Sequence, residues 1–171
     1  MKRILMAATP LLAPGIVFAE TPYAGMQSRT VKALSEQQIA DLNAGRGMGM
    51  TLAAELNGSP GPSHLLELAE KLELTAVTAV RSLFESMKRD SIPLGTKLIE
   101  QESELDRQFA AHTITPEILR DATAAVARTQ GELREAHLKY HLSTAALLDA
   151  GQMQRYAALR GYAEPSAHHH H

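Results

Sequence analysis

Residues 134–152 read REAHLKYHLSTAALLDAGQ. His137 and His141 stand four apart, so on a helix they share one face, one turn from each other. Upstream, Leu119, Ala122, Val126 and Leu133 lie on the same stripe at steps of three, four and seven, and Leu148 continues it downstream. The two imidazoles therefore belong to the face that packs, where polar groups need a hydrogen-bond partner or a metal. Asp149, with Gln152 three residues on, is a capping box. It predicts that the long helix ends near Leu147 and that a short helix follows, closing near Gly161.

Working outward, Thr113-Ile114-Thr115-Pro116 breaks the periodicity. Thr115 is a cap and Pro116 suits a first helical position. Before the break, Val77, Val80, Phe84, Met87, Leu94, Leu98, Leu105 and Phe109 form the stripe of another long helix. Thr75 is its expected cap, and Pro93 lies inside it, where a kink is expected. A shorter helix starts near Ser63 with His64, Leu65, Leu66, Leu68 and Leu72. Another is opened by Ser35 with Gln38 as capping box and Leu34 and Ile39 as staple, and it ends near Gly45. No strand pattern is present. The expected fold is all-α: a long antiparallel helical hairpin with short flanking helices. The expected division is a signal peptide over 1–19, an N-terminal arm with a short helix and a Gly/Met-rich loop over 20–61, a helical-hairpin domain over 62–162, and a tail over 163–171 that is either a purification tag or a native His run.

The leader reading rests on Lys2 and Arg3, the apolar run from Ile4, and small residues Val17 and Ala19 before Glu20. Pro10, Pro14 and Gly15 interrupt the run, and it is too short to span a membrane comfortably. The expected location is the periplasm, after cleavage near Ala19. Of 17 Lys+Arg and 19 Asp+Glu, loss of Lys2 and Arg3 leaves 15 basic against 19 acidic residues. This balance argues against nucleic acid as a partner, which needs a concentrated basic face. The chain has no cysteine, so its stability must come from packing, oligomerisation or metal.

The functional candidates follow from the histidine pair. Two imidazoles on one face can bind one ion but need further ligands. Folding the two long helices about residues 113–114 brings His137 opposite Asp90 and His141 opposite Ser86, with Glu85, Met87 and Asp90 as candidate donors and His64 arriving from the second helix. Two histidines with a carboxylate suit Zn(II), Ni(II) or Co(II), whereas a methionine tilts the set toward copper. The competing reading is that both rings bond backbone or carboxylate groups at a helix interface. HExxH is absent, since Glu is not placed between the two histidines. Gly45, Gly47 and Gly49 have no preceding strand and are not a dinucleotide fingerprint. Met48 and Met50 are soft donors suited to Cu(I), or core filler. The acidic run Glu100, Glu102, Glu104, Asp106 reads as a solvated face. With no nucleophile–base pair, the expectation is a protein that is not an enzyme.

Leu74-Thr75-Ala76-Val77-Thr78 and Leu148-Asp149-Ala150-Gly151-Gln152 resemble the Leu-Thr-x-x-Gln motifs of the periplasmic Spy/CpxP/ZraP/CnrX-like family, with Thr78 in place of Gln and Asp149 in place of Thr. The resemblance covers residues 62–162. It implies a helical hairpin that dimerises, and two functions: transition-metal binding in heavy-metal resistance or sensing, or an ATP-independent holdase chaperone in the envelope stress response. Its implied partners are a second copy, unfolded periplasmic clients or a membrane-bound signalling protein. The metal reading, with ligands drawn from His137, His141, His64, Glu85, Asp90 and Met87, is favoured, because the family's chaperones present a strongly basic cradle that this chain lacks. The identity of the metal (Zn, Ni, Co or Cu) is left open.

Overall fold

The computed structural model describes residues 22–162. The expected signal peptide, its cleavage position and the tail lie outside the described residues. Within them the chain is all-helical: α1 (Glu36–Asn43), α2 (Leu52–Glu55), α3 (Pro62–Glu67), α4 (Val77–Ala110), α5 (Pro116–Ala145) and α6 (Ala150–Arg160). Among the described residues no helix is long and apolar enough to cross a membrane.

Helix ends follow local chemistry where the sequence supplies it. Ser35 accepts from the Gln38 amide at 3.1 Å while its own amide donates to Gln38 Oε1 at 2.8 Å. Asp149 and Gln152 repeat the arrangement at α6. Thr115 caps α5 through the Ile118 amide, with Pro116 in the first helical position. The expected Thr75 cap is not formed. α4 starts one residue late for it, with Ala76 as N-cap and no side-chain bond there. The burial of Leu72 and Leu74, with the Leu74 amide on the Ala69 carbonyl, fixes the approach instead. Gln152 Nε2 also donates to the Leu72 carbonyl at 3.3 Å, so the α6 cap holds this turn. α5 stops at Ala145 rather than Leu147, because the Leu147 and Leu148 amides return to carbonyls three residues back. α4 runs on through Pro93, which has no amide proton to offer the preceding turn.

α4 and α5 pack along one another. Lys97 approaches Glu132 at 3.9 Å, and Asp90 takes both Lys139 at 2.6 Å and the Tyr140 hydroxyl at 2.7 Å. Contacts thus rise along one helix as they fall along the other. Asp90 meets Tyr140 and not His137, three residues away from the expected register. His112 in the left-handed region and the Thr113 amide on the Gln108 carbonyl close α4 before the chain turns, which moves the pairing.

Two apolar clusters form the interior. One joins Leu65, Leu72, Leu74, Val80 and Tyr156 from α3, the following turn, α4 and α6. The other joins Leu42, Leu98 and Leu133 from α1, α4 and α5. On α4 the buried residues lie between Val80 and Leu98, and on α5 between Thr129 and Thr144. Full burial along the expected stripe of α4 therefore stops at Leu98: Leu105 is half-buried, and Phe109 and Leu119 are exposed. Only the near half of the pair is covered by the short helices. Met87 lies between the two clusters on α4, at the level of the site described below.

Gly95 makes the α1 contact possible. A β-carbon there would stand 2.7 Å from the Leu42 carbonyl oxygen, which is backbone and cannot rotate away. Gly95→Ala gains about 1 kcal/mol of helix propensity, but forcing α1 off α4 costs about 1–3 kcal/mol. The expected result is a lower melting temperature by circular dichroism. A higher one would show that α1 does not rest on Gly95.

Candidate functional site

The segment between α1 and α3 wraps onto α5. Within it, Asn57-Gly58 and Pro60-Gly61-Pro62 have the composition of a turn. In the structure Pro60 and Pro62 are fully buried, and the Ser59 carbonyl accepts from His141 Nδ1 at 2.7 Å. A carbonyl can only accept, so Nδ1 carries the proton and the lone pair of the neutral ring lies on Nε2. That edge of the ring faces Gly61, where a β-carbon would lie 2.8 Å from Nε2 and 2.9 Å from Cε1. Only the absence of a side chain at position 61 lets the backbone pass this close to the ring.

His137, one turn before, is 2% exposed, and His141 is 4% exposed. His137 Nε2 is buried without a hydrogen-bond partner. Burial first, and the neighbouring His141 second, hold its pKa below the ordinary histidine value, which keeps the ring neutral.

Beside the pair sits a buried carboxylate that the sequence reading missed. Glu55, the last residue of α2, is 4% exposed. It accepts a short hydrogen bond from the Tyr156 hydroxyl and one at 3.1 Å from the Gly61 amide. His64 Nδ1 stands 3.2 Å away and His141 Nδ1 3.8 Å away, with Tyr162 and Arg160 at 3.5 and 4.0 Å. Burial alone would raise its pKa. The His64 ring, the Tyr156 hydroxyl and the Gly61 amide outweigh burial and hold it at about 2. Tyr156 is pushed above its ordinary value by its own burial and by that carboxylate. No periodicity marks Glu55, since its partners lie up to 107 residues away in sequence. The only local signal was a charged residue entering a Pro/Gly turn.

A cavity of about 710 Å³ opens beside these groups. Of the candidate donors singled out from sequence, His64, Met48, Met87, His137 and His141 line it. Glu85 is exposed on α4 and does not line it. Asp90 is taken by Lys139 and Tyr140 and is likewise outside it. Glu55 also lines it, with the paired side chains of Asp41, Arg46, Glu67 and Arg160. Among the described residues, no three His, Asp or Glu side chains are placed so that they alone could hold a metal ion. Comparison with known protein families, with characterised proteins and with solved structures finds no match to this chain, so a functional reading rests on this geometry.

Glu55 gives a pH-dependent stability with a definite sign. Its folded pKa lies below the unfolded value of 4.5. Its contribution is therefore complete above pH 4.5 and is lost as pH falls toward 2. At 1.36 kcal/mol per pH unit the loss is about 3 kcal/mol. Urea titrations of chelator-treated protein are expected to show this decline, and Glu55→Gln is expected to flatten it while lowering stability at neutral pH. An unchanged slope in the variant would remove Glu55 as its source.

Proposed function

We propose that this chain is an exported, non-enzymatic protein that binds a transition-metal ion in the cavity against His137 and His141. One observation carries the reading: the Nε2 atom of His137 is buried and unpartnered, beside a second imidazole and a thioether on the same cavity wall. An orphaned buried nitrogen costs roughly 1–3 kcal/mol, which a bound ion would recover. The His141 arrangement supports it. A ligating histidine characteristically donates its other ring proton to a carbonyl or carboxylate, which fixes the tautomer and the ring direction. The Ser59 carbonyl does this here. Export rests on the leader pattern of residues 1–19, and a role in metal resistance or sensing follows the resemblance of the two helix-opening motifs.

Calorimetric titration tests this on the full chain with the four histidines at 168–171 changed to serine, beside His137→Ala/His141→Ala and the single His137→Leu. Tight binding of Zn(II), Ni(II), Co(II) or copper is expected in the parent. A loss beyond about 100-fold is expected in the double variant, more than loss of a supporting contact causes. Unchanged helicity by circular dichroism guards against unfolding. Equal binding by all three proteins, or none by the parent, would reject the reading.

The same proposal takes α4 and α5 as a hairpin that pairs with a second copy. Phe109, Ile118 and Leu119 flank its turn and are exposed, and apolar surface of this kind favours association. Sedimentation is expected to show a homodimer at micromolar concentration, and a stable monomer there would refute it.

A further inference from the structure

Met48 is unexplained by packing. The Met50 amide bonds to the Gly47 carbonyl at 2.8 Å, closing a turn whose central residues, Met48 and Gly49, both have positive φ, at 44° and 80°. That pattern, as in a type I′ turn, favours Asn, Asp or Gly and disfavours a long side chain. The side chain is 40% exposed, so burial does not repay the backbone strain. The residue lines the same cavity as His137, His141 and Met87. Strained residues of this kind concentrate where a site requires them.

The donor chemistry narrows the ligand. Among the described residues, no three His, Asp or Glu side chains are placed to hold an ion without a further kind of donor. Glu55 is already engaged by Tyr156 and Gly61. Of the other carboxylates on the wall, Asp41 is paired with Arg46 and Glu67 with Arg160, and His64 stands against Glu55; beside the histidine pair this leaves two thioethers, from α4 and from the strained turn. Thioethers favour soft ions, and a soft monovalent ion accepts few ligands. We infer that the cavity takes Cu(I), or its chemical analogue Ag(I), held by the histidine pair together with the sulfurs of Met48 and Met87. The inference rests on the reading of the cavity as a metal site and adds to it the class of ion and the role of Met48.

The test is competition of the protein with bicinchoninate for Cu(I) under anaerobic ascorbate, repeated with Ag(I) by calorimetry. It uses the full chain with serine at 168–171, and Met48→Leu, Met87→Leu and the double variant, since leucine keeps the volume and removes the sulfur. The expected result is a loss of at least about tenfold, or 1.4 kcal/mol, in Cu(I) affinity for the double variant. Zn(II) and Ni(II) affinity should fall less than Cu(I) affinity, since these ions depend less on thioether sulfur. X-ray absorption of the Cu(I) complex is expected to show sulfur scattering in the parent and none in the double variant. If the parent binds metal but the methionine variants hold Cu(I) equally well, the soft-ion inference fails and the metal site stands. If the parent binds no ion at all, both fail.

Discussion

The buried carboxylate of Glu55 is the constraint on which the arrangement around it depends. A charge this deep in a protein is costly unless it is paired and hydrogen-bonded. Its hydrogen-bond donors come from the turn after α2 and from α6, and the His64 ring of α3 stands 3.2 Å away. Satisfying the carboxylate therefore requires three separate segments to arrive together. The Gly61 amide brings the turn against α5, which places the Ser59 carbonyl on His141. That hydrogen bond in turn decides which nitrogen of His141 has a free lone pair. The chemistry available in the cavity is thus set by a residue that does not need to touch a ligand.

Much of the fold was legible because it is written locally. Ser35 with Gln38, Thr115 with Pro116 and Asp149 with Gln152 are short-range codes, and each opens a helix where the pattern places it. The burial of His137 and His141 could be read from spacing alone, since the period of an α-helix decides which face they share. Thr75 failed because the burial of Leu72 and Leu74 outweighed a cap worth about 1 kcal/mol. Full burial of the stripe stopped at Leu98 for a different reason: periodicity reports which face a helix could bury, not how far its neighbours extend. Glu85 and Asp90 were sought as ligands from an assumed register. The real one moves by three residues because of how the chain turns at His112, and Asp90 goes to Tyr140 and Lys139.

Met48 was legible as a soft donor, but its place on the cavity wall was not, and Glu55 was hidden altogether, both for one reason. The segment from Gly45 to Pro62 looks in sequence like punctuation between helices, rich in glycine and proline. Its role appears only once it lies on α5. Gly61 is the clearest case: read locally it marks a turn, whereas in the fold it is the position at which a single methyl group would collide with the His141 ring.

The two apolar clusters explain why a cavity persists between them. A helix pair packed along its whole length would close such a space, since interiors tend to native density. Here α4 is held by Val80 on one side of Met87 and by Leu98 on the other, so neither end can move inward without losing its own packing. The donors on this frame differ in stiffness. His137, His141 and Met87 stand on long helices, whereas His64 belongs to a six-residue helix and Met48 to a turn. On the proposed reading, an ion meets two fixed imidazoles first and gathers the adaptable donors around them. The free energy of binding would then be shared with the segment 45–64, tying the state of that segment to the presence of metal. The chain has no cysteine and gives the buried His137 Nε2 no protein partner, so on the proposed reading the ion supplies the contact that the protein itself does not.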